Sequence, residues 1–175
     1  MRKTSTRRLT FLALTISFAM ILSFVESRIP TFTAIPGIKV GLANVAVIFT
    51  LYKFGVGEAL TVSLVRVVLV SMLFGNPQSF WFSLSGAVLS LSAMILLKKL
   101  VRAPEVVVSV SGGVMHNIGQ IAAASVIMGT NVVIYYLPFL MLSGTIAGVV
   151  VGIASATLIK KVDISKIMKS SGQRR

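Results

Sequence analysis

Six apolar runs, separated by short polar or Gly/Pro-containing breaks, organise the chain: Leu9–Val25, Gly41–Tyr52, Glu58–Phe74, Phe80–Leu97, Val106–Met128 and Val132–Ile159. None alternates with the two-residue period of a strand, so helices are predicted throughout. The longer runs approach the roughly 20 residues that a helix needs to cross about 30 Å of hydrocarbon. Gly41–Tyr52 is short, and is expected to borrow residues from its flanks or to be covered by neighbouring helices. Pro30, Pro36 and Gly37 make 29–40 a loop. Leu100–Glu105, with Arg102 and Pro104, reads as a hinge. Pro138 is expected to kink the sixth helix near Tyr135 and Tyr136, residues typical of a membrane interface.

Composition turns this pattern into a membrane protein. Of 175 residues, 55% are hydrophobic, and the mean hydropathy is +0.94. Soluble domains are less apolar and break their runs sooner. The net charge of +13 would suggest nucleic acid in a soluble chain, but here the basic residues sit at the ends of apolar runs, so no nucleic-acid partner is expected. With six spans, one side collects Arg2, Lys3, Arg7 and Arg8, then Lys53, then Lys98, Lys99 and Arg102, then Lys160, Lys161, Lys166, Lys169, Arg174 and Arg175. The other side keeps Arg28 and Lys39, and Arg66 lies between. Cytoplasmic loops carry such an excess of lysine and arginine.

The expectation is therefore an all-α integral membrane protein: a six-transmembrane-helix bundle with both termini cytoplasmic, multi-pass in the plasma membrane. Residues 1–161 make a single domain with a basic leader, 1–8. Residues 162–175 make a basic cytoplasmic tail suited to anionic headgroups. The first run is long for a signal peptide, and Glu26-Ser-Arg28 stands where a small-residue cleavage site belongs. There is no cysteine and one histidine, so no metal site is expected.

Candidate chemistry begins at Arg66, mid-way along the third run. A cation at that depth costs about 2.5–3.5 kcal/mol on insertion scales and seeks a protein interior or a wet cavity. Acceptors are scarce: the acids are Glu26, Glu58, Glu105 and Asp163. Part of Arg66's partner is thus expected to be a polar or anionic ligand. Glu58, two turns away, is too distant for a pair along the helix and is expected to face headgroup water or a partner protein. On the fifth run, which also carries Ser109 and Gly113, the residues Gly112, His116, Gln120 and Ala124 share one face, with Asn117 beside them. Two readings stand for His116, Asn117 and Gln120: interhelical hydrogen bonding or ligand contact. Lys39 and Asn44 approach from the outer side. Lys39 reads either as interfacial snorkelling or as a site residue, and Trp81 and Phe82 read as an aromatic belt or as a stacking surface. Gly144, Gly148, Gly152 and Ala156, each four apart, form a small-residue stripe for close helix packing. Ala13 and Ser17 form a shorter one.

The combination of Ile38-Lys-Val-Gly-Leu-Ala-Asn44, Ser63-Leu-Val-Arg-Val-Val-Leu69, Leu73-Phe-Gly75, Met115-His-Asn-Ile-Gly-Gln120, Tyr136-Leu-Pro138 and Leu142-Ser-Gly144 resembles the Gx transporter family, also labelled heptaprenyl diphosphate synthase component I. The likeness covers about residues 9–160. That family is similar to the substrate-binding S components of energy-coupling factor (ECF) transporters. The resemblance implies a six-helix protein that binds substrate near the outer face and docks on a transmembrane coupling protein driven by ATPases. Docking small residues of the first helix correspond to Ala13 and Ser17, where serine replaces an alanine.

The expected function is therefore a non-enzymatic membrane subunit that binds a small polar or anionic molecule for uptake. Arg66, Lys39, Asn44, His116, Asn117 and Gln120 would line the pocket. Transport would be energised by a separate partner, because the chain has no phosphate-binding loop of its own. The resemblance also leaves two other readings: a membrane component of a flavin- or quinone-linked extracellular electron-transfer system, with the ring as ligand, or a non-catalytic subunit of a prenyl diphosphate synthase. Aspartate-rich motifs hold Mg²⁺ and diphosphate in such synthases because hard cations prefer carboxylate oxygens. This chain has a single aspartate, Asp163.

Overall fold

In the computed structural model, residues 6–28, 41–74 and 77–162 are described; they form six α-helices and no strand. These are α1 (Thr6–Arg28), α2 (Asn44–Lys53), α3 (Val56–Phe74), α4 (Pro77–Leu96), α5 (Glu105–Met128) and α6 (Leu137–Lys161). Five of them, all but α2, are long and apolar enough to cross a membrane. A helix satisfies its own backbone groups, which is what allows such runs to stand in lipid. Leu14, Met72, Val126, Phe139 and Ile153 point outward from the bundle, as a lipid-facing surface requires.

The short second run does not borrow enough from its flanks to span. α2 has ten residues, about 15 Å at 1.5 Å per residue. Its neighbours cover it instead: Val45, Ala46, Val47, Ile48, Thr50 and Leu51 are buried, and α1, α3, α5 and α6 pack around it. The core is this helix together with Ala19 of α1, Val62 of α3, Met94 of α4, Val108 of α5 and Val151 of α6. Thr50 is fully buried and donates to its own helix at the Ala46 carbonyl, 2.7 Å away, so its hydroxyl costs little in an apolar core.

α5 and α6 form the tightest pair, and the sequence stripe explains it. A Cβ on Gly148 would lie 2.6 Å from Val110 Cα, and one on Gly152 2.7 Å from Val106 Cα. Gly113 and Gly144 meet the same way, backbone to backbone. The order Gly144–Gly113, Gly148–Val110, Gly152–Val106 also fixes the pair as antiparallel. The small-residue stripe is therefore a packing seam within the chain, as close backbone approach between helices in lipid demands.

Helix ends depart from the sequence expectation in two places. Pro138 does not kink a helix. Residues Val132–Tyr136 form a 3-10 turn, α6 begins at Leu137, and the proline occupies its first turn, where a missing N–H costs nothing. The fourth run overshoots α4 into a π-helical turn, Leu97–Val101, which ends with Arg102 in the left-handed region at φ 52°. Helix α5 does start and stop as its pattern indicates, capped by Gly129 at φ 61°.

One end of the bundle gathers the basic residues. Arg8 pairs with Glu58 and reaches the Phe54 carbonyl at 3.5 Å. Lys98 donates to the Leu51 carbonyl and lies 4.7 Å above the Tyr52 ring. Tyr52 donates to the Ala103 carbonyl at 2.9 Å. These contacts bring the start of α1, the α2–α3 junction and the α4–α5 junction together, and the antiparallel seam adds Lys160 and Lys161. The C-terminal carbonyls of α2 thus meet two cations, the favourable sign for that end of a helix. Glu58 finds its counter-ion within the chain, in Arg8, because α1 and α3 run side by side in the same direction. The pair is about one-fifth exposed on both sides, so Glu58→Gln is expected to cost about 1 kcal/mol or less. Thermal unfolding in detergent, read by circular dichroism, measures it.

The loop 29–40, with Lys39, and the basic tail from residue 163 lie outside the described residues.

Candidate functional site

Between the N-terminal end of α2 and the facing sides of α5 and α6 lies a narrow cavity with about 20 Å³ of free volume, space for roughly one or two waters. Its polar lining is Asn44, Ser109, His116 and Asn117, and its remaining walls are largely glycine. Those glycines let three helices approach closely while leaving the middle open. Gly41, at φ 74°, turns the chain into α2 and forms one edge. Asn44 stands in the first turn of that helix.

Asn117 and His116 each make a close contact with a neighbouring helix. Asn117 is 4% exposed, and its Nδ2 donates 2.5 Å to the Leu140 carbonyl of α6. It reaches that carbonyl because Gly144 has no side chain: a Cβ there would stand 2.7 Å from Nδ2. This amide is therefore both packing glue and cavity wall, with its Oδ1 the group left to meet a ligand. His116 lies with its ring on Gly86 of α4, 2.9 Å from where a Cβ would be. Ser109 is 3% exposed, and its Oγ has no hydrogen-bond partner. A buried hydroxyl in that condition favours occupancy of the cavity by something that hydrogen-bonds.

The structure brings Asn44, His116 and Asn117 together and places Gln120 and Arg66 outside this lining. Gln120 is buried, one turn beyond His116, outside this lining. Arg66 also lies outside it, on α3. Its Nε is buried without a hydrogen-bond partner. Lys39 falls outside the described residues. Trp81 is 56% exposed and packs edge-on against Phe80 at 5.3 Å. It faces away from the bundle, as an aromatic belt does. Ala13 and Ser17 are both exposed on the outer face of α1.

Two contributors were not singled out from sequence as site residues. Ser109 lies seven residues before His116, hence on the same face after two turns, and that spacing was available as a signal. Glu26 carried no local signal, since its contact with Gly41 crosses from α1 to α2.

A family model described as heptaprenyl diphosphate synthase component I matches residues 15–158. The chain belongs to the heptaprenyl diphosphate synthase component I family. The match runs from the third turn of α1 to the last turn of α6 and so includes every cavity residue. Neither a curated protein nor a solved structure matches this heptaprenyl diphosphate synthase component I family member.

Proposed function

We infer that this chain is a substrate-binding membrane subunit for uptake of a small polar molecule, working in the manner of an ECF S component. The observation that carries the reading is the polar cavity among glycines: Asn44, Ser109, His116 and Asn117 converge from α2 and α5 at mid-bundle. Structural glue alone does not require an open space at that point. In its present form the cavity is too small for a vitamin-sized molecule, because ligand pockets run to about 300–1,000 Å³. Binding therefore entails separation of α2 from the α5–α6 pair. The glycine seam favours that route, since it holds α5 and α6 to each other and leaves α2 as the element that moves.

Transport needs an energy source outside the chain. The exposed Ala13 and Ser17 on α1 offer a small-residue surface for a transmembrane coupling protein, which would bring the ATPases. The basic end of the bundle supports an orientation with both termini in the cytoplasm and the protein in the plasma membrane. The subunit has no catalytic role of its own in this reading. A prenyl synthase partnership is carried by the family description alone, and the diphosphate chemistry would then reside in an aspartate-rich partner.

Native mass spectrometry of the detergent-purified protein tests the reading. A small molecule retained at one per chain is expected. Protein that emerges empty, and that stays empty after incubation with a vitamin and nucleobase mixture, overturns it.

A further inference from the structure

Asn117 is held in one orientation. A backbone carbonyl can only accept, so the atom that faces the Leu140 carbonyl at 2.5 Å is the amide nitrogen. Gly144 makes room for it: a Cβ there would stand 2.7 Å from Nδ2. The nitrogen end is thus wedged into the seam between α5 and α6, and the oxygen end is what Asn117 presents to the cavity it lines. Turning the amide over would set oxygen against oxygen. Ser109 lies earlier on the same helix, about 12 Å along its axis at 1.5 Å per residue. It is 3% exposed, and its Oγ has no hydrogen-bond partner. The two groups differ in kind. A hydroxyl donates or accepts, whereas an amide oxygen can only accept. Both belong to the half of the site that stays in place, because the glycine seam holds α5 to α6 while Asn44 travels with α2 when the cavity widens. The acceptor is therefore set before a ligand arrives.

We propose that Asn117 Oδ1 is a fixed acceptor that selects the ligand by its donor: the molecule taken up brings an N–H or O–H group, such as a lactam or imide N–H, to the α5–α6 wall. This rests on the uptake reading and narrows it. A molecule that offers a carbonyl or ring oxygen at that point sets lone pair against lone pair and leaves Oδ1 unpaired in a closed site. A site built around such a hydrogen bond rejects an analogue lacking the donor far more strongly than one lacking a methylene. Ser109 adds affinity without making that choice, since its hydroxyl can play either part.

Carbostyril and coumarin are the probes. They share one fused bicycle, and the lactam N–H of the first is a ring oxygen in the second, so the pair differs in the donor and hardly in shape. Each is titrated into the full-length protein in detergent and read by native mass spectrometry, with the thermal unfolding midpoint as a control for folding. The wild type is expected to hold carbostyril at least about tenfold more tightly than coumarin. Ser109→Ala is expected to weaken carbostyril and to keep the preference, and Asn117→Ala to lose it. Coumarin bound as tightly as carbostyril, or a preference that survives in Asn117→Ala, overturns the donor rule and leaves the uptake reading standing. If Asn117→Ala does not fold, the wild-type and Ser109→Ala comparison decides. If the wild type takes neither probe but carries a molecule from the cell, that molecule and its N- or O-methylated form replace the pair: retention of the unmethylated form alone supports the proposal, and equal retention, or a molecule with no N–H or O–H group, overturns it. Protein that stays empty throughout defeats the uptake reading, and the donor rule falls with it.

Discussion

Gly148→Leu is expected to prevent the protein from folding as a stable bundle. Even a single added carbon at that position meets Val110 Cα at 2.6 Å, well inside van der Waals contact, and the obstacle is backbone that has no alternative rotamer. Overpacking a core ordinarily costs about 1–3 kcal/mol. Here a four-carbon side chain must force two helices apart along a seam that Gly144 and Gly152 also depend on, so the loss falls at the top of that range or above it. That is a large part of the stability of a small domain, about 5–15 kcal/mol. At Gly129, in contrast, an added Cβ meets no atom within 4 Å, and Gly129→Leu is strained by the positive φ of that position. Size-exclusion profiles in mild detergent and the midpoint of thermal unfolding distinguish the two. A Gly148→Leu protein with wild-type elution and an unchanged midpoint contradicts the seam.

His116→Leu is expected to leave the bundle intact and to remove bound ligand. The ring rests on the bare backbone of Gly86, and leucine fills a comparable space with an apolar group. What disappears is the imidazole's hydrogen-bonding capacity at the cavity wall. A ligand group left unpaired in a closed site costs about 1–3 kcal/mol, which is roughly 5- to 150-fold in affinity. Ligand occupancy in native mass spectrometry is the readout, with the unfolding midpoint as control. Wild-type occupancy in His116→Leu removes the histidine from the site.

Much of the architecture was legible because bilayer thickness, charge and glycine leave direct marks on sequence. Run lengths indicated six spans, of which five helices are long and apolar enough to cross a membrane; the regular spacing of Gly144, Gly148 and Gly152 indicated the seam on α6, and Gly129 marked the end of α5. The short run was legible as anomalous, though its fate as a buried central helix depended on neighbours that no local pattern specifies. Pro138 was misread because the same residue kinks a helix or begins one, depending on where the helix starts. The Tyr-rich 3-10 turn before it gives no distinct signal.

The candidate site was legible in one dimension only. Spacing along α5 put His116, Asn117 and Gln120 on neighbouring faces, and it could not say which helix those faces meet. For that reason Arg66, the costliest residue in the membrane by composition, was grouped with them. In the fold it stands on α3, outside the cavity lining. Long-range pairs such as Arg8 with Glu58 and Glu26 with Gly41 arise from helix order in space, which follows from topology and not from periodicity.

The shortness of α2 has a consequence for biosynthesis. A ten-residue helix emerging from a translocon is too brief to be retained across the bilayer on its own merits; α1 and α3 flank it early, but its partner α6 is translated only at the end. The α5–α6 hairpin, by contrast, meets its partner as soon as it is made. The last step of maturation is then the closing of that hairpin over α2, and until it happens a newly made chain has no completed cavity wall.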